Sequence, residues 1–225
     1  DLFQNASIKS RFFFVILSSL MLVYFSDSSL DNIGIKPIDY FFSNFFVAII
    51  LTTFGIIVTC NAWNFIDGLN GIASGLGAST LLIFTFLSGD IYTDGFNEFL
   101  TIVSYVFFGF CILNLINGKI FLGDTGSYFL GSLIGWSGVL IVKYNPDISP
   151  WAIFLIIIYP ASEITFSVIR RIFNKKSPFK SDRLHLHSLL YSFLSLILKF
   201  QPKTINSISG TVILLIGITP GVICI

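Results

Sequence analysis

Charge is scarce in this chain. Asp, Glu, Lys and Arg make up 11% of its 225 residues, against about 25% in an ordinary soluble domain. With 54% hydrophobic residues and a mean hydropathy of +0.86, it cannot cover itself with a water-compatible surface. A charge of one sign is lacking too. The net charge is +1, so there is no general basic field, and nucleic acid is excluded as a partner. Cysteine is sparse. Cys60, Cys111 and Cys224 lie in or at the ends of apolar runs, where they are expected to act as small buried residues without a disulfide framework. The single methionine is Met21, and the C-terminal Gly221-Val222-Ile223-Cys224-Ile225 stops inside an apolar run. The chain is therefore expected to be a fragment of a longer membrane protein, cut at both ends.

What is abundant is long apolar sequence in separate blocks. A hydrocarbon core of about 30 Å takes about 20 helical residues. Blocks at 12–26, 42–60, 72–89, 98–116, 127–143, 150–169 and 207–225 suit that length. The expected fold class is all-α, a polytopic membrane helix bundle with about seven transmembrane helices. Residues 1–225 form one transmembrane domain. The stretch from Ser188 to Phe200 is apolar but short, and is read as an interfacial helix rather than a span.

The loops alternate in charge. One set comprises 1–11, 61–71, 117–126 and 170–206. It holds Lys9, Arg11, Lys119, Arg170, Arg171, Lys175, Lys176, Lys180, Arg183, Lys199 and Lys203, eleven of the thirteen basic residues. The other set comprises 27–41, 90–97 and 144–149, and positive charge is nearly absent from it. The positive-inside rule places the first set in the cytoplasm.

The polar motifs all fall in that first set. Asn61-Ala62-Trp63-Asn64-Phe65-Ile66-Asp67-Gly68-Leu69-Asn70-Gly71 follows an apolar run. Polar residues at such a boundary are costly unless they serve a site. On a helix Asn64 and Asp67 share a face, and Asn70 continues it. An amide oxygen and a carboxylate on one face suit a hard cation. Taken singly, Asn-x-x-Asp is as easily a capped helix end. Gly123-Asp124-Thr125-Gly126-Ser127 adds a second carboxylate among glycines whose N–H groups can face an anion. Phe121 is either a stacking surface for a base or core packing. Lys119 is a phosphate contact or a topological anchor. His185 and His187 flank Leu186 beside Arg183, which favours an anion site over zinc, because no further ligands at metal spacing accompany them. Glu163 sits inside an apolar block after Pro160. It is either a functional intramembrane acid or the partner of a cytoplasmic Arg.

In order and spacing these segments resemble the bacterial polyprenyl-phosphate N-acetylhexosamine-1-phosphate transferases, specifically the branch of glycosyl transferase family 4 that initiates O-antigen and related surface polymers. The carrying residues are the 61–71 run, Phe121-Leu-Gly-Asp-Thr-Gly-Ser127, and Ser177-Pro-Phe with Asp182-Arg-Leu-His-Leu-His187. The resemblance implies transfer of a sugar-1-phosphate from a UDP-N-acetylhexosamine to undecaprenyl phosphate in the lipid bilayer, with release of UMP. It implies Mg2+, with Mn2+ allowed, held by Asn64 and Asp124. Asp67 would be catalytic or organise the metal. Asp1 would match the second acid of the family's acidic pair. Asn61, Asn70 and Phe121 would contact substrate, as would Arg183, His185 and His187 at the diphosphate. It further implies a multi-pass protein of the cell inner membrane with its active site toward the cytoplasm, and allows a homodimer. One departure is Asn70, where the family often has Asp. A transporter lined by polar residues and a non-catalytic assembly subunit are the competing readings.

Overall fold

The computed structural model describes residues 8–89, 94–175 and 184–224. Among the described residues it contains ten helices and no strand. They are α1 (Ile8–Phe25), α2 (Lys36–Phe42), α3 (Phe45–Ile66), α4 (Ile72–Ser88), α5 (Asp94–Asn117), α6 (Gly123–Tyr144), α7 (Pro150–Ile156), α8 (Ile158–Phe173), α9 (Leu186–Ile197) and α10 (Pro202–Ile223). Every apolar block of the sequence is helical.

The helix α3 shows how local sequence sets an element. Asn44 caps it, its side chain accepting from the Phe46 and Val47 amides at 3.1 and 3.3 Å. Twenty-two residues then run without a charge to Asp67, the C-cap. One flank, Phe46, Ile50 and Phe54, is exposed at four-residue spacing, as a lipid-facing stripe is. The other flank packs on α6. There Gly131 approaches so closely that a Cβ would lie 2.7 Å from the Cys60 Cα, and one on Gly135 would lie 3.2 Å from the Ile56 Cα. Small residues four apart let two membrane helices meet backbone to backbone.

Seven spans overcounts the bundle. Among the described residues, α3, α5, α6 and α10 are long and apolar enough to cross a membrane, and α7 with α8 makes a fifth if the bent pair is one span. The protein is thus a multi-pass membrane protein, and among the described residues fewer helices meet the length and composition of a span than there are apolar blocks. The reasons are physical. Helix α4 has 17 residues, and Ile72 to Leu81 are all buried. Its apolarity serves the protein core instead of lipid. Helix α1 carries Lys9 and Arg11 in its first turn. The block at 150–169 bends by 80° between α7 and α8. Pro160 explains the break, since it has no N–H to donate to Ile156 and its ring clashes one turn back.

Helix α9 has 12 residues, about 18 Å of helix and too short to span. It exposes Leu189, Phe193, Leu196 and Ile197 as one apolar stripe.

Contacts gather the chain ends of these helices into two poles. At one pole, Lys143 pairs with Asp27, the Trp151 indole donates to the Ile33 carbonyl at 2.8 Å, and the Asn145 amide donates to the Leu87 carbonyl at 3.2 Å. The motif segments lie at the other pole.

Candidate active site

The C-terminal end of α3 is the anchor of the site. Asn64, Phe65 and Asp67 leave the last turn in three directions. The Asn64 amide donates to Asp124 Oδ1 and to Ser127 Oγ, both at 3.0 Å. Asp67 Oδ2 accepts from the Gly123 amide at 2.9 Å. Phe65 meets the His185 ring edge to face at 5.6 Å. The first turn of α6 and the histidine segment are thus both docked on one helix end.

Asp124 lies in the first turn of α6, where a carboxylate complements the helix dipole. Its Oδ2 is ion-paired with Arg11. Sequence reasoning took Arg11 only as a topological anchor. Nothing in its spacing tied it to a motif more than a hundred residues away.

Burial pushes the Asp67 carboxyl up to about 6, the Gly123 and Leu122 amides oppose that shift, and the charge of Asp124 adds to it. The two carboxylates therefore feel one another. Among the described residues no three His, Cys, Asp or Glu side chains form a ready metal cage. Two carboxylates and an amide are nonetheless a donor set that suits Mg2+, which is usually held by one or two carboxylates together with substrate phosphates. Arg11 already supplies one positive charge there.

His185 and His187 stack in parallel, 2° apart with centroids at 5.2 Å. Both are buried, at 7% and 4% exposure. Their shared partner is Glu163. His185 Nδ1 lies 3.2 Å from Oε2, and His187 Nδ1 lies 3.8 Å from Oε1. Glu163 also accepts from the Leu186 amide at 2.9 Å and the Tyr159 hydroxyl at 3.2 Å. To the two readings of this acid the structure adds the histidines as its partners. The far edge of His187 abuts the loop that follows α3, where a Cβ on Gly68 would sit 2.7 Å from His187 Nε2.

The remaining residues are placed differently. Asn70 is buried, and its amide donates to Ser207 Oγ at 3.0 Å while its backbone N–H donates to Asn206 Oδ1 at 2.7 Å. It faces α10 and fixes the motif loop to that helix. The Asn61 amide donates to the Ile57 carbonyl one turn back at 2.7 Å. Phe121 is 42% exposed in the turn before α6, so it is not core packing. Asn114, which sequence reading passed over, ties two motif loops together. Its oxygen accepts from the Gly71 amide at 2.6 Å, and its nitrogen donates to the Ile120 carbonyl. Asp1 and Arg183 lie outside the described residues.

The family model for glycosyl transferase family 4 matches residues 1–142, which include both acidic motifs. The chain belongs to glycosyl transferase family 4. The histidine segment lies beyond the matched residues, but similarity to individual family members extends further. A Bacillus subtilis protein, "Probable undecaprenyl-phosphate N-acetylglucosaminyl 1-phosphate transferase", is 30% identical over 89% of this chain and 58% of its own length. A Thermotoga maritima protein, "Undecaprenyl-phosphate alpha-N-acetylglucosaminyl 1-phosphate transferase", is 30% identical over 76% of this chain and 50% of its own length. A Staphylococcus haemolyticus "Phospho-N-acetylmuramoyl-pentapeptide-transferase" is 27% identical over 92% and 62% respectively. The chain thus spans between half and two thirds of the length of these three relatives.

Proposed function

We propose that the full-length protein transfers an N-acetylhexosamine-1-phosphate from a UDP-sugar to undecaprenyl phosphate, releasing UMP and starting a lipid-linked envelope glycan. The observation that carries this reading is the meeting of Asn64, Asp67 and Asp124 with the two histidines at one end of α3. Family membership and the names of its relatives support it. The basic loops bias that end toward the cytoplasm of the inner membrane.

Both substrates carry phosphate, so the site must hold two anions together. An oxygen of the lipid phosphate would attack the sugar-bearing phosphorus. The bond between the two phosphates of the donor would break, and UMP would leave with the electron pair. A divalent cation, Mg2+ or Mn2+, held by Asp124 and Asn64 would offset the phosphate charge. Asp67 adds negative charge beside that pair and ties the start of α6 to α3. Phe121 offers an exposed ring on which a uracil can stack. The imidazole edges would contact the diphosphate, a role the sequence motif also suggests for Arg183. For the acceptor, an apolar groove of about 300 Å³ runs along α3 from Phe54 to Ala62 and Trp63, lined on its other sides by α6 and α7–α8. Its lining suits a prenyl chain. A transporter would instead concentrate polar groups near the membrane midplane.

The direct test is conversion of UDP-N-acetylglucosamine and undecaprenyl phosphate to lipid-linked product and UMP by membranes holding the full-length protein, with and without Mg2+. No product with Mg2+ present, for either N-acetylhexosamine donor, overturns the proposal.

A pH dependence follows from Asp67. Its carboxyl is raised to about 6, so it is neutral below that value and ionised above it. Protonation removes negative charge beside the cation donors. Mn2+ affinity of the purified protein, followed by electron paramagnetic resonance, is therefore expected to be weaker at pH about 5 than at about 7.5. The Asp67→Asn variant should bind more weakly at the higher pH and lose most of the pH dependence. Equal affinity of the wild type at both values would mean that Asp67 does not touch the cation's field.

A further inference from the structure

Two buried imidazoles share one carboxylate, and the rest of that carboxylate's surroundings decides what they can do. Glu163 Oε1 takes the Leu186 amide and the Tyr159 hydroxyl. Oε2 is left for His185 Nδ1 at 3.2 Å. His187 Nδ1, buried and otherwise without a hydrogen bond, lies 3.8 Å from Oε1. The rings are parallel, so both turn the same edge toward Glu163 and the opposite edge, with Nε2, away from it. For His187 that opposite edge meets Gly68, next to Asp67.

We infer that Glu163 is the positioning residue of the histidine pair: it accepts a hydrogen bond from the Nδ1–H of His185, lies 3.8 Å from His187 Nδ1, and so presents both Nε2 edges to a nucleotide diphosphate. The ligand rests on the transferase reading above; the positioning does not. An imidazole whose Nδ1–H is committed to a carboxylate can gain a proton only at Nε2. When an anion sits at that edge, the ring carries both protons and donates from Nε2, while Glu163 compensates the added charge from behind. Tyr159 and Glu163 are one helical turn apart, so the same face of α8 orients both the acid and its hydroxyl donor.

The test reads the tautomer directly. Full-length protein carrying a histidine-free affinity tag is labelled with 15N-histidine. Signals are assigned with the single His185→Ala and His187→Ala variants, and spectra are recorded in alkaline buffer where the rings are neutral. In the wild type His185 is expected to carry its proton on Nδ1. In Glu163→Gln the proton should move to Nε2. The Leu186 amide claims the new side chain's oxygen, which leaves its NH2 group facing Nδ1, and two donors cannot face each other. UDP-N-acetylglucosamine affinity, by calorimetry, should fall on the order of tenfold or more in the variant, the effect of losing a charge-assisted hydrogen bond. Its melting temperature should stay near that of the wild type.

A proton on Nε2 of His185 in the wild type, or a tautomer indifferent to Glu163→Gln, overturns the inference. A moved proton with unchanged donor affinity also overturns it, since Glu163 would then be structural alone. A wild type that shows the Nδ1 proton but binds no UDP-sugar overturns the transferase reading and the ligand named here. The two tautomer arms would still establish Glu163 as the residue that sets the rings.

Discussion

Asp124→Asn is expected to abolish turnover and leave the bundle folded. Asp124, in the first turn of α6, meets both the Asn64 amide and the Arg11 guanidinium. An amide holds a divalent cation far more weakly than a carboxylate does. Loss of several kcal/mol of charge stabilisation corresponds to about a thousandfold or more in rate. The fold should barely notice. The ion pair with Arg11 is substantially exposed, with side-chain accessibilities of 39% and 44%, and such pairs contribute about 0–1 kcal/mol. Transfer of radiolabelled sugar phosphate at saturating Mg2+, measured beside the melting temperature, separates the two effects. Normal turnover in the variant would reduce Asp124 to a helix cap.

The second large effect is structural and is expected at Gly210. The helix α10 crosses the motif loop there so closely that a Cβ would lie 2.1 Å from the Asn70 carbonyl oxygen. The obstacle is backbone, so no side chain can turn aside. Gly210→Ala must push α10 away from the loop. That weakens the two hydrogen bonds from Asn70 to Asn206 and Ser207. Overpacking of about 1–3 kcal/mol and two hydrogen bonds of about 1 kcal/mol each add to a loss of several kcal/mol. Activity should fall with it, because the loop that carries Asp67 is no longer held. Gly109→Ala is the control. Gly109 has nothing within 4 Å of a built Cβ, and alanine is the better helix former by about 1 kcal/mol. Thermal unfolding of both variants in one detergent tests the contrast, and equal stability would show that α10 yields without cost.

Much of the architecture was legible because hydropathy reports burial in any apolar medium. All seven apolar blocks are helices. The same property explains the overcount, since hydropathy does not distinguish lipid from protein core. The block at 72–89 read as a span, and Ile72 to Leu81 within it are all buried. The break at Ile157 was legible in Pro160, yet the sequence reading carried the block through it. In the site, Asn64, Asp67 and Asp124 drew notice because polar groups at an apolar boundary need a reason, and the structure brings Asn64 and Asp124 into contact. Arg11 and Asn114 were missed because their partners are distant in sequence and their residue types are ordinary at a helix end. Glu163 was noticed, but its partners could not be named, because a bend of 80° decides which segment it meets. Asn70 illustrates the converse, as its place in the motif suggested a ligand contact while its side chain is committed to α10.

The polarity of α8 is inverted. Its buried face is Tyr159, Glu163, Ser167 and Arg171 at four-residue spacing, and its exposed face is Phe166, Ile169, Ile172 and Phe173. Such a segment has no reason to enter a bilayer alone, where a charged residue at a helix centre costs about 3 kcal/mol. It becomes soluble in lipid only when its inner face is already matched by α3 and by the histidine segment. During biogenesis, then, α8 is expected to be a poor candidate for independent insertion. Its settling is expected to depend on α3 and on the chain beyond it, which supply the partners of that buried face. The residues that complete the site are thus also those whose arrival lets this part of the protein settle, so assembly of the pocket and completion of topology are one event.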